Sequence, residues 1–199
     1  MIQYYQKRGG KNEKFKMPTK SNLKGRTSTI NNAFTISITP YIRPTEEEFY
    51  QMYKKLKLEP SKCAYCLNEA TTTDHLKPLV KNGLPTGYIT NIKNLVPCCS
   101  SCNSSKGSKN FSDWYLQEKN KNRLYAMEFT DKQIEERYNI ICKYEKELDK
   151  PLDYEKILGK KLYNEYKERI EVMNKLLKKN QEFCDTLKEK IEKNLNKFK

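Results

Sequence analysis

Cys63-Ala64-Tyr65-Cys66 opens the stretch whose reading decides the fold, and Cys99-Ser100-Ser101-Cys102-Asn103-Ser104-Ser105-Lys106 closes it. Between them lie Thr73-Asp74-His75-Leu76-Lys77-Pro78 and Asn94-Leu95-Val96-Pro97, and His75 is the only histidine of the chain. Two-residue spacing lets both sulfurs of a CxxC pair face one ion. Four thiolates in two such pairs make a closed tetrahedral Zn²⁺ site, so Cys63, Cys66, Cys99 and Cys102 are the expected ligands. Cys98 adjoins Cys99 and would give a spacing of three to Cys102; Cys99 is preferred because it keeps the two-residue knuckle. A site closed by four protein ligands has no open position. This zinc is therefore structural, a staple for a core that burial alone would hold poorly.

The segment between the knuckles reads as strand, loop, strand and helix. Thr71-Thr72-Thr73 is β-branched and leads into Asp74-His75, a short strand. Gly83, Pro85 and Gly87 mark a long turn, and residues 89–96 are expected to return as a second strand. Asn103 then stands at a helix start.

Outward from this centre, residues 1–30 carry eight Lys/Arg against the single acid Glu13. This basic arm is expected to close on phosphates, with Lys7, Arg8, Lys11 and Arg26 as contacts. Residues 33–39, Ala-Phe-Thr-Ile-Ser-Ile-Thr, alternate apolar and hydroxyl side chains, which predicts a half-buried strand. Thr45 with Glu48 predicts a capping box, opening a helix to about Lys57 with Phe49, Met52, Tyr53 and Leu56 on its core face. A further helix start follows Ser112, with Trp114 as a packing residue, and Thr130 is expected to cap a helix running to about Leu148. From Asp153 onward Ile170, Met173, Leu177, Cys184, Leu187, Ile191 and Phe198 fit a heptad. That pattern suits either an amphipathic helix on its own domain or a coiled-coil arm pairing two protomers, which leaves a homodimer open.

At 199 residues, with 36% hydrophobic and 32% charged side chains, the chain can bury one small core. Its net charge of +14 points to a polyanionic partner, nucleic acid first. No apolar run approaches the roughly 20 residues of a membrane span, so no membrane partner is expected. The start of the chain lacks the apolar core of a secretory signal. With seven cysteines in that context, a reducing, cytoplasmic location is expected, where paired CxxC motifs read as metal ligands.

Cys63-x-x-Cys66, Asp74-His75-x-x-Pro78, Asn94-Leu95 and Cys99-x-x-Cys102-Asn103-x-x-Lys106-Gly107, in this order, resemble the HNH nucleases, the ββα-metal or His-Me finger group, in their zinc-stapled form. The resemblance covers about a quarter of the chain. It implies an α+β fold with a small ββα-metal core stapled by a four-cysteine zinc site, to which the composition and spacing of the flanks add a basic N-terminal arm and a helical C-terminal region. The expected divisions are 1–44 (arm and strand), 45–118 (nuclease core with its preceding helix) and 119–199 (helical region for DNA recognition or dimerisation). It also implies an endonuclease acting on double-stranded DNA. His75 would be the general base, Asn94 would hold the loop that orients it, and Asp74 with Asn103 would hold a divalent cation, Mg²⁺ first. Lys106 and Lys77 would contact phosphate. A restriction enzyme is the expected biological role and a homing or mobile-element nuclease the alternative. A zinc-ribbon protein that binds nucleic acid without cutting, and an RNA-cutting toxin, are the competing classes.

Overall fold

The computed structural model describes residues 22–195. In chain order, α1 (Thr27–Ile36) and α2 (Glu46–Lys55) precede β1 (Thr72–His75). β2 (Val80–Lys81) and β3 (Leu84–Pro85) form a small hairpin, and a 3₁₀ turn, Ile92–Asn94, leads into β4 (Leu95–Cys98). The helices α3 (Ser100–Lys106), α4 (Phe111–Tyr115), α5 (Glu118–Tyr125), α6 (Asp131–Glu145) and α7 (Tyr154–Asn194) follow. The described residues divide into two units, one of residues 28–175 and one that joins residues 22–27 with 176–195.

Within 28–175, β1 pairs antiparallel with β4, Asp74 opposite Val96 and His75 opposite Leu95, and α3 packs on β1. This is the expected strand, loop, strand and helix. The helix starts are written in the sequence: Thr45 accepts from the Glu48 amide at 3.2 Å while Glu48 accepts from the Thr45 amide at 2.8 Å. Thr130 and Gln133 form the same reciprocal box at the start of α6. The core gathers Leu56, Leu76, Val96, Phe111, Trp114 and Tyr115 around the knuckle residue Tyr65, all buried. The Tyr65 ring lies 5.0 Å from Trp114, edge to face, and 5.7 Å from Phe111. Leu124, Ile134, Ile141 and Tyr144, beyond residue 118, pack in the same cluster.

Three local expectations are corrected. Residues 33–36 are helical, because α1 buries a polar face rather than an apolar one. Thr35 donates to Gly83 O at 2.9 Å and shares a 2.7 Å hydrogen bond with the Tyr166 hydroxyl, and Phe34 stacks on Tyr166. Those tertiary bonds override the β-branched composition. The returning strand begins at Leu95, not Ile89, because Asn91 caps the Ile92–Asn94 turn by accepting from the Asn94 amide. Phe49 is exposed, whereas Met52 and Leu56 are buried as expected.

The helical tail expected from Asp153 is α7, interrupted at Gly159 (φ 76°, ψ 153°). Tyr166 and Ile170 are its buried residues beyond that break. In the other unit, the Leu23 amide donates to Gln181 Oε1 at 2.6 Å.

Gly87 fixes the loop before β4. Its φ is +90°, its carbonyl accepts from the Leu152 amide at 2.8 Å, and a Cβ there would collide with the backbone oxygen of Leu152. Glycine alone tolerates both conditions. Gly87→Ala is expected to lower unfolding stability by about 2 kcal/mol or more, read from the urea midpoint, and a midpoint equal to that of the wild type would refute the fit.

Candidate functional site

β1 alternates its side chains, so Asp74 and His75 diverge to opposite sides of the strand. Asp74 faces inward and is buried. Its Oδ2 accepts from the Tyr65 hydroxyl at 2.6 Å and lies 3.0 Å from the Lys106 ammonium on α3. Lys106 also donates to the His75 carbonyl at 2.7 Å. Burial first, and the Asp74 carboxylate next, hold the Tyr65 phenol well above its ordinary value, so it remains a donor. The residue between the first two cysteines therefore reaches directly to the acid beside the histidine.

His75 is half-buried, and its Nε2 lies 3.0 Å from the Thr90 hydroxyl. Burial lowers its pKa from the ordinary 6.5 and the Lys106 charge lowers it further, while Asp74 opposes both. The imidazole is thus neutral at pH 7, the state a general base needs. Nε2 is engaged by Thr90, and Nδ1 has no side-chain partner among the described residues. Sequence reasoning missed Thr90. No motif flags a threonine fifteen residues from the histidine, and only the folded loop brings them together.

Asn94 closes that loop. Its Oδ1 accepts from the Lys77 amide at 2.8 Å, and its Nδ2 donates to Lys77 O and Ile89 O, each at 3.1 Å. Its own carbonyl accepts from the Leu76 amide at 2.9 Å. One buried amide thus ties both sides of the His75 loop together, holding Ile89 next to Thr90. Asn103, on the first turns of α3, donates weakly to Thr73 O at 3.4 Å. Among the described residues, neither Asn103 Oδ1 nor Asp74 Oδ1 accepts a side-chain hydrogen bond.

The sulfurs of Cys63, Cys66, Cys99 and Cys102 all lie within 4.8 Å of one another, and those of Cys66 and Cys99 are 3.7 Å apart. A tetrahedron with Zn–S bonds of about 2.3 Å has edges of about 3.8 Å, so the donor set fits one Zn²⁺. Cys98, buried alongside, donates its thiol to Cys99 O at 3.2 Å and also reaches Cys63 and Cys102. The thiols titrate as a crowd. Donation from Cys102, then from Cys66 and Cys98, draws the Cys63 thiol far down. The same bonds push Cys66 and Cys102 up, through Cys102 and Cys63 respectively. Four like charges in so small a volume require a cation among them.

Two expected phosphate contacts are corrected. The Lys106 ammonium is fully buried between Asp74 and the His75 carbonyl and does not reach the surface. Lys77 pairs with Glu145 of α6 at 2.9 Å, both side chains being less than one quarter exposed. The fold explains both outcomes: Lys106 sits one turn after Asn103 on the face of α3 that packs against β1, and α6 brings Glu145 to Lys77. Arg26 is exposed on the Lys24–Arg26 turn. Lys7, Arg8 and Lys11 lie outside the described residues.

Residues 63–109 match the family model of the HNH endonucleases, and the match supports a nuclease function in general. No curated protein and no solved structure matches the chain. Among the described residues, no helix is long and apolar enough to cross a membrane.

Replacing Asn94 with Ala strips partners from the Lys77 amide and from two carbonyls. We expect a loss of about 2–4 kcal/mol in chemical denaturation. A loss below about 0.5 kcal/mol would show that the loop is held by other bonds.

Proposed function

We propose that the chain is a DNA endonuclease that hydrolyses phosphodiester bonds, with His75 as general base. The observation that carries this reading is the half-buried imidazole, its Nε2 engaged by the Thr90 hydroxyl, next to an acid pinned by Tyr65 and Lys106. Nδ1 of His75 takes a proton from a water molecule, and the resulting hydroxide attacks phosphorus opposite the departing 3′ oxygen. Thr90 fixes the ring's angle, and Asn94 holds the loop beneath it. Asp74 Oδ1 and Asn103 Oδ1 would hold a divalent cation, Mg²⁺ first, which keeps most of its waters and needs few protein oxygens. When bound it supplies charge neutralisation at the phosphate and the leaving oxygen.

The Cys63–Cys66–Cys99–Cys102 set would hold Zn²⁺ as a structural ion. Asn103 follows Cys102 directly, so the knuckle that receives zinc also sets the position of α3 and its ligand. The +14 charge suits a duplex partner. Leu176, Phe183, Leu187 and Ile191 lie exposed on α7 at helical spacing, which favours a homodimer and a cut in both strands. A restriction enzyme fits a dimer on a palindromic target, and a homing or mobile-element nuclease is the next role.

One observation favours a second reading, a zinc-stapled module that binds nucleic acid without cutting it. Asp74 already has an ammonium at 3.0 Å, which lessens its demand for a metal.

Digestion of supercoiled and linear DNA by wild type and His75→Ala, with Mg²⁺, Mn²⁺ and Ni²⁺, separates the two. We expect the wild type to cleave, and the variant to lose at least ~100-fold in rate while retaining its fold and its DNA binding. Binding by the wild type without cleavage in any of the three metals establishes the second reading.

The lowered His75 pKa sets the direction of the pH profile. Protonation removes the base, so kcat/KM should hold as pH falls to 6.5 and decline only below it. The same sign applies to stability: below pH 6.5 the unfolded chain binds the proton first, and stability falls with acidification. An acid limb centred above pH 6.5 contradicts this assignment.

A further inference from the structure

We infer that Arg123 and Arg137 are the counter-charges of the metal–thiolate cluster: two guanidinium groups that together cancel the formal dianion left when four cysteine thiolates bind one divalent cation. The inference rests on the reading of these cysteines as a zinc site.

Arg123, on α5, donates through Nη2 to Cys102 Sγ at 3.1 Å. The same nitrogen donates to Asn120 Oδ1 at 2.8 Å, and Nη1 donates to Ser101 Oγ at 3.2 Å. Its guanidinium carbon lies 5.7 Å from the centre of the Trp114 ring, which holds the group against the knuckle. Asn120 is itself fixed, donating to Tyr115 O at 2.9 Å. Arg123 is thus aimed at a ligand sulfur and kept there by Ser101, Asn120 and Trp114.

Arg137, on α6, approaches the first knuckle. It is buried, and its Nη2 and Nε donate to Ala64 O at 2.7 and 3.2 Å, between Cys63 and Cys66. Nη1 donates to Leu56 O at the end of α2, 2.8 Å away. Among the described residues, neither arginine forms an ion pair with a carboxylate. A buried guanidinium held only by neutral carbonyls is costly unless an anion lies close. The anion at hand is the thiolate cluster: Ala64 is covalently flanked by one ligand, and Arg123 touches another. A charge-assisted N–H···S bond stabilises the thiolate relative to the thiol, strengthens retention of the metal and makes the sulfur a poorer nucleophile. Nothing in the CxxC spacing announces this, because both arginines come from helices outside the cysteine stretch.

The test uses the full chain purified with zinc, release to 4-(2-pyridylazo)resorcinol being timed, together with spectra of the Co²⁺-substituted protein. A wild type that holds no zinc refutes the zinc reading itself and is recognised before any variant is made. Given zinc in the wild type, Arg123→Gln is expected to release it about 10–100-fold faster, and its sulfur-to-cobalt charge-transfer band is expected to move to longer wavelength. Arg123→Lys, which keeps the charge, should stay near the wild type. Release within about twofold of wild type with an unmoved band overturns the role of Arg123, and so does a lysine variant that loses zinc as fast as the glutamine one. Arg137→Gln, whose amide can still donate to Ala64 O, should also release zinc faster; a folded variant with wild-type retention overturns that half. Should Arg137→Gln not fold with excess zinc, Arg137→Lys decides: folding with retained zinc supports the charge role, and folding with rapid release refutes it.

Discussion

Four sulfurs within 4.8 Å of one another cannot all be ionised unless a cation sits among them. The rest of the centre depends on that constraint. Cys63 and Cys66 flank Tyr65, whose ring anchors the aromatic core and whose hydroxyl holds Asp74. Cys99 caps α3 by accepting from the Cys102 amide, and Cys102 precedes Asn103. One ion held by these sulfurs would give a small core in a strongly charged chain two fixed points, and each carries a residue of the candidate site.

The path from staple to site is short and polar. Tyr65 Oη, Asp74 Oδ2, Lys106 Nζ and His75 O form an unbroken chain of contacts between 2.6 and 3.0 Å. Buried polar groups so fully engaged leave little freedom in the low-dielectric interior. The Lys106 ammonium balances the Asp74 charge and at the same time grips the backbone of the histidine. Its role is to set geometry, which accounts for a lysine that burial would otherwise exclude.

Much of this is legible in the sequence, and the limits have physical causes. The CxxC spacing, the Asp-His pair and the capping boxes at Thr45 and Thr130 are local, so a linear reading finds them. Asn94 as a loop brace is what the resemblance to the HNH nucleases implies, and its side chain bonds to Lys77 and Ile89 across that loop. α1 departs from the strand its alternation predicts because its partners, Gly83 and Tyr166, are distant in the chain. Lys106 and Lys77 invite a phosphate reading because charge implies exposure on average; each instead meets an acid that the fold brings to it. Thr90, Arg123 and Arg137 carry no local signature at all.

The loop that holds Thr90 is also tied down from outside the cysteine stretch. Asn91 and Lys93 both donate to Asp149, at 3.0 and 2.5 Å, and the Leu152 amide donates to Gly87 O at 2.8 Å. The segment between α6 and α7 therefore acts as an outer clasp on the histidine loop. In terms of modularity, the family-matched residues 63–109 are a portable motif but not a portable geometry. Transplanted into another chain, they would bring the cysteines and the histidine but lose the clasp. Insertions or recombination near residues 149–152 would accordingly loosen the histidine loop, although no residue there belongs to the motif.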